Sequence, residues 1–155
     1  MTTAIHSRRE VLIALGAGGL AAATITMLPA GVRADTAAAQ EAIKAILGDR
    51  TAQEGRITLD LPQIAENGNT VPLSVEVESA MTDADYVKSV HILAEDNPRP
   101  DVATFHFTPR SGKAMAASRM RLAKTQNVIA IAEMSDGSVY MAKAEVKVTI
   151  GGCGG

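Results

Sequence analysis

Tryptophan is absent from the 155 residues, Tyr and Phe occur twice each, and Cys153 is the one cysteine. Each shortage removes a class of function. Aromatics at 3% leave no platform for stacking bases, and a formal net charge of −2 leaves no basic footprint, which excludes nucleic acid. A single cysteine forbids an internal disulfide framework and a multi-cysteine metal cage. The histidines, His6, His91 and His106, are not spaced as ligands, so no metal and no cofactor is expected. Without a Cys-x-x-Cys pair a thiol oxidoreductase is the weakest of the function classes, and no residue is assigned as catalytic. What remains is 46% hydrophobic residues. That is enough for one domain with a core of Val, Ile, Leu, Ala and Met.

The first segment reads as an address. Ser7-Arg8-Arg9-Glu10 carries a twin arginine, and an uncharged run rich in Gly and Ala follows from Val11 to Leu28. Pro29 breaks it, and Val32-Arg33-Ala34 offers the small-residue pattern of a cleavage site. The run is long enough to approach a membrane span. Its dilution by Gly and Ala and the site behind it instead give a removable export signal of the twin-arginine type over residues 1–34, hence a periplasmic protein with no membrane attachment after cleavage. No cysteine stands near residue 34 to carry a lipid. Loss of Arg8, Arg9, Arg33 and Glu10 leaves 12 Lys/Arg against 16 Asp/Glu, a net charge of −4. Twin-arginine export moves folded proteins, which implies a cofactor or partner acquired beforehand. With no cofactor motif, a partner protein is expected.

Residues 35–150 read as one all-β domain with a short helix in front. Ala39, Ala42, Ile43, Ile46 and Leu47 lie at helical spacing in Thr36–Leu47, and Gly48 stands where a C-terminal cap belongs. From there the apolar period is two. Strands are expected around 57–61, 71–77, 90–94, 102–108, 119–122, 127–133 and 139–150. Turn signals separate them at Asn67-Gly68-Asn69, Asn97-Pro98-Arg99-Pro100, Pro109-Arg110-Ser111-Gly112 and Ser135-Asp136-Gly137-Ser138. About seven strands at this spacing predict an immunoglobulin-like β-sandwich, with a small barrel as the alternative. In the last strand Val139 and Met141 are odd whereas Ala144, Val146, Val148 and Ile150 are even, so a β-bulge is expected near Ala142-Lys143.

Residues 151–155 are Gly151-Gly152-Cys153-Gly154-Gly155. Four glycines have no side chains to bury and lose much entropy on ordering, so a mobile arm is expected, with Cys153 roughly 10 Å beyond Ile150. Such an arm is narrow enough to enter a deep active site on another protein. It is poorly suited to self-activated catalysis. No cation lies within it to lower the thiol pKa from about 8.5, and the terminal carboxylate opposes ionisation. Cys153 is therefore a handle on which other enzymes act. The competing reading is a disulfide-linked dimer through Cys153. Ubiquitin-like sulfur carriers also end in Gly-Gly, but they are cytosolic, against the export signal.

Other features have plainer readings. Met115, Met120, Met134 and Met141 are core filler in a chain poor in aromatics. His91 and His106 are surface or interface positions. Arg119, Arg121 and Lys124 could guide an anionic adduct or an acidic partner, with a solvated strand face as the plain alternative.

The twin-arginine segment, the sandwich-sized domain and the Gly-Gly-Cys-Gly-Gly terminus together resemble the SoxY family, the sulfur-carrier subunits of the bacterial Sox thiosulfate-oxidising system. The resemblance implies that Cys153 is the covalent sulfur-attachment site and that Gly151, Gly152, Gly154 and Gly155 form its flexible arm. It implies a heterodimer with a SoxZ-like subunit, which would explain folded export. It also implies a haem-containing enzyme that conjugates thiosulfate to the cysteine, a sulfate-releasing hydrolase and a sulfane dehydrogenase.

Overall fold

The computed structural model describes residues 36–152. The signal segment, and Cys153, Gly154 and Gly155, lie outside the described residues.

Helix α1 spans Thr36–Leu47, as its periodicity predicts. It stops at Gly48, whose φ of 59° suits a residue without Cβ and whose N–H donates to the Lys44 carbonyl at 2.8 Å. Arg50 reinforces that end: its guanidinium donates to the carbonyls of Ile46 and Leu47 and pairs with Glu133.

Among the described residues nine strands follow: β1 (Ala52–Gln53), β2 (Ile57–Asp60), β3 (Ile64–Asn67), β4 (Val71–Val77), β5 (Val87–Ala94), β6 (Asp101–His106), β7 (Ala114–Met120), β8 (Gln126–Met134) and β9 (Val139–Ile150). One sheet has the order β1-β9-β8-β5-β6, with β3 also pairing β9; the other has the order β2-β4-β7. This is an immunoglobulin-like sandwich. Each of the seven expected strands has a counterpart, although the one expected at 119–122 lies earlier, at Ala114–Met120. The two additional strands, β1 and β3, run parallel to β9 along the same edge.

Between the sheets, β4 presents Val71, Leu73, Val75 and Val77 to Val90 and Ile92 of β5, Val128, Ala130 and Ala132 of β8, and Val146 of β9. The opposite face of the larger sheet carries a second cluster of Leu93, Ile129, Ile131 and Val139, which α1 covers with Ala42, Ile43, Ile46 and Leu47.

That second cluster corrects the expected bulge. β9 pairs β8 in unbroken register from Glu133↔Val139 to Gln126↔Val146. Val139 and Met141 join the helix-side cluster, whereas Val146 and Val148 join the inter-sheet core. The phase change records a switch in which face is covered, and the strand never slips. Register shifts occur instead in β5, between Ile92 and Leu93 against β6 and between Val87 and Ser89 against β8.

Candidate functional site

The chain that leads to Cys153 is fastened to the sandwich up to its last described residue. Gly152 is buried, and its N–H donates to the Leu122 carbonyl at 2.9 Å. The Leu122 N–H donates in turn to the Gly68 carbonyl at 2.8 Å, and the Gly68 N–H donates to the Ile150 carbonyl at 2.8 Å. Leu122 thus bridges two backbones, with its own side chain fully buried.

Closeness of approach explains the glycines here. A Cβ on Gly68 would collide with the Leu122 carbonyl and would lie 2.5 Å from the Gly152 nitrogen. A Cβ on Gly151 would collide with the Ala123 carbonyl, and one on Gly152 would sit 2.8 Å from the Gly68 oxygen. Three backbones are packed with no room for a methyl group. The expectation of a mobile arm beginning at residue 151 is therefore corrected for Gly151 and Gly152, which belong to the folded body. Counted from Gly152, Cys153 is one peptide away, a Cα step of about 3.8 Å.

Side chains hold the bridging loop in turn. Asn97 Nδ2 donates to the Arg121 carbonyl at 2.8 Å, and its Oδ1 accepts from the Ala123 N–H at 3.0 Å and from Gln126 Nε2 at 2.8 Å. Gln126 is 3% exposed, yet its Oε1 accepts from the Asp96 N–H and its Nε2 also reaches the Lys124 carbonyl. A buried amide with every partner in place fixes the loop firmly. Asn67 Oδ1 accepts from the Asn69 N–H at 2.9 Å, which shapes the turn that presents Gly68. Sequence reasoning found the turn signals at Asn67-Gly68-Asn69 and Asn97-Pro98 but missed their joint role. The available signal was Gln126, a polar residue at the head of an apolar strand.

The charged residues around this root are of both signs, with Glu66 exposed just before the Asn67-Gly68-Asn69 turn. Arg121 is exposed, and Lys124 lies 3.7 Å from Asp96. Nearby, Glu95 accepts from Asn127 and pairs with Lys143, and these contacts outweigh burial to hold its pKa below the ordinary carboxylate value.

A second polar group sits on the helix side of the larger sheet. Glu133 accepts from Ser89 at 3.0 Å, pairs with Arg50, and lies 3.5 Å from His91 Nε2. His91 Nδ1 lies 3.1 Å from Thr104 Oγ1. Burial pushes the Glu133 carboxyl up, but Arg50, Ser89 and His91 together bring it below its ordinary value. His91 is thus half-buried in a network, and His106 is exposed on the neighbouring strand. Met120 and Met134 are core residues as expected, whereas Met115 is 53% exposed. Among the described residues no group of three or more His, Cys, Asp or Glu could hold a metal ion.

Fold and site together define a small immunoglobulin-like sandwich whose last strand runs into a firmly built root one residue before Cys153 in sequence. Comparison with known proteins narrows the class. The family model described as "Sulfur oxidation protein SoxY" matches residues 43–153, so the chain belongs to the SoxY family. Its structure is similar to that of the sulfur carrier protein SoxY from Chlorobium limicola f thiosulfatophilum, with 35% identity and a TM-score of 0.62 over 75% of this chain and 100% of that one. It is also similar to superoxide reductase (neelaredoxin) from Ignicoccus hospitalis, with 16% identity and a TM-score of 0.55 over 61% of this chain and 80% of that one. A putative superoxide reductase from Thermotoga maritima gives 11% identity and a TM-score of 0.54 over 63% of this chain and 93% of that one. Identities this low show a shared fold alone. No curated protein sequence matches the chain.

Proposed function

We propose that this protein is a periplasmic carrier, exported through its twin-arginine signal, that holds thiosulfate-derived sulfur on Cys153 and presents it to the enzymes of thiosulfate oxidation. The observation that carries this reading is the family match, whose last matched residue is Cys153 itself. The root is compatible with it, because the hydrogen-bonded backbone of Gly152 directly precedes Cys153 in sequence.

The chemistry follows from a thiol that other proteins act on. A partner enzyme removes two electrons and one proton as the Cys153 thiol joins the sulfane sulfur of thiosulfate, leaving a cysteine S-thiosulfonate. Water then cleaves the sulfur–sulfonate bond, releasing sulfate and two protons and leaving a persulfide anion. A dehydrogenase takes six electrons from that sulfur while three waters supply its oxygens and six protons leave, giving an S-sulfonate, and a further hydrolysis releases a second sulfate and one proton and restores the thiol. The haem-containing conjugating enzyme, the hydrolase and the sulfane dehydrogenase supply the catalysis, so the carrier is not itself an enzyme. A SoxZ-like subunit is its heterodimer partner, joined before export.

The test is the intact mass of the protein from periplasm of thiosulfate-fed cells, with the peptide containing Cys153 mapped without reductant. Reductant-labile additions matching thiosulfate or sulfur are expected on Cys153. A bare thiol or a plain disulfide between two chains would overturn the carrier reading.

A further inference from the structure

The backbone clasp at the root closes over Asn67-Gly68, the one Asn-Gly peptide bond in the chain. That dipeptide is the one most prone to spontaneous ring closure, because glycine sets no Cβ beside its own nitrogen. The Gly68 nitrogen attacks the side-chain carbon of Asn67, ammonia leaves, and a five-membered succinimide forms. Water then opens the ring at either carbonyl. One opening gives aspartate; the other gives isoaspartate, in which the main chain runs through the former side chain. One ammonia is lost and one water is consumed, with no oxidant or reductant.

The fold treats the two reacting groups in opposite ways. Asn67 is exposed, and its Oδ1 accepts from the Asn69 N–H at 2.9 Å, which stabilises the charge that develops on that oxygen during attack. Gly68 is buried; its N–H donates to the Ile150 carbonyl and its carbonyl accepts from the Leu122 N–H, both at 2.8 Å. The electrophile is ready and water can reach it, whereas the nucleophile is withheld with its peptide pinned from both sides. We infer that Asn67 is a modification site gated by the root: it stays intact while Gly68 is clasped and converts to aspartate and isoaspartate when the clasp opens. Isoaspartate makes the opening one-way. It adds one carbon to the main chain immediately before Gly68, where even a Cβ would collide with the Leu122 carbonyl and lie 2.5 Å from the Gly152 nitrogen. The root therefore cannot close again over the modified chain, whatever cargo the protein carries.

An internal reference lies at the far end of β8. Asp136-Gly137 is open to the same ring closure, but Asp136 Oδ1 is held by Ser138 and has no link to the root. The test holds the purified protein at pH 8.5 and 37 °C and follows the peptides carrying Asn67 and Asp136 by mass and by enzymatic methylation of isoaspartate. Conversion at Asn67 should be slower than in denaturing urea by about a hundredfold or more, because reaction proceeds only from the opened root. Gln126→Ala loosens the loop that holds Leu122 and should raise the Asn67 rate about tenfold while leaving Asp136 unchanged. Ile131→Ala, on the helix side, should leave the Asn67 rate within about twofold of the parent. Aged protein enriched in isoaspartate should exchange the Gly152 amide faster than fresh protein. Asn67→Asp has the product's charge on an unaltered main chain and keeps an acceptor for Asn69, so it should not. Similar rates in folded and urea-unfolded protein, a comparison that needs no variant, would overturn the gate. Equal acceleration by Gln126→Ala and Ile131→Ala would do the same, by making global unfolding the route. Unchanged Gly152 exchange after ageing would overturn the one-way opening.

Discussion

The root of the Cys153 segment and the helix-covered face of the larger sheet are both well packed, but they are packed from opposite materials. At the root, Gly68, Gly151 and Gly152 bring three backbones together through hydrogen bonds, with no side chains between them. Under α1, Leu93, Ile129, Ile131 and Val139 fill the space with branched side chains. The first region is closed by the absence of atoms and the second by their presence. A residue added at one should therefore do what a residue trimmed at the other does, and the two should differ in what they do to Cys153.

The largest expected effect comes from the helix side. Ile131 is fully buried, and Ile131→Ala removes three carbons from a site that α1 can only partly collapse onto, at about 4 kcal/mol of stability. Urea unfolding measures the loss. Cys153 alkylation below the transition should be unchanged, because this cluster is packed against α1 and makes no contact with the Gly68–Leu122–Gly152 bridge. A change in alkylation rate without global unfolding would break the separation between the regions.

Next comes Gly68→Ala. Its methyl meets backbone atoms of Leu122 and Gly152, which cannot rotate away, so either the bridge opens or the strands shift, at about 3 kcal/mol. If the bridge opens, amide exchange at Gly152 and Leu122 accelerates far more than exchange in β8. Uniform acceleration across both regions would mean that the root is no independent structure. Gln126→Ala is expected to act at the same place more gently, at about 2 kcal/mol. It strands the Asp96 N–H and one lone pair of Asn97 without inserting any atom. Gln126→Glu should be worse than Gln126→Ala at neutral pH, because it places a charge against the Asn97 and Lys124 carbonyl oxygens. Equal stability of the two would show that water reaches this amide.

The contrast also explains what could be read in the sequence. Helix α1, its Gly48 cap and the Ser135–Ser138 hairpin are local patterns, and the side-chain period carries them. β1 has two residues and no period at all, and β3 begins at Ile64, which is 63% exposed against the alternation rule. Both strands exist because β9 offers them an edge, which is a long-range fact. The bulge expected in β9 came from assuming one covered face where α1 supplies a second. The glycines of the tail carry the same ambiguity. A glycine needed for freedom and a glycine needed for close approach are the same letter, and only the position of Leu122 tells them apart.

The smallest effect expected concerns Glu133, through which Arg50 ties the end of α1 to the sheet. Glu133 is held below the ordinary carboxylate pKa of 4.5, because Arg50, Ser89 and His91 outweigh the effect of burial. A carboxylate with a lowered folded pKa contributes stability that is fully present above the unfolded value and is lost as pH falls through the folded one. Glu133→Gln should thus be less stable than the parent at pH 7, by at most about 1 kcal/mol given its partial exposure to solvent. The gap should narrow as pH drops below 4.5. Denaturant midpoints at pH 7, 5, 4 and 3 measure it. Glu95 sits near the root and is lowered in the same direction by Asn127 and Lys143, so the parent keeps an acid-sensitive contribution that the variant does not remove. If the Glu133→Gln midpoints ran parallel to the parent at every pH, Arg50 would be serving only as a cap for α1, and the tie between helix and sheet would rest on the aliphatic cluster alone.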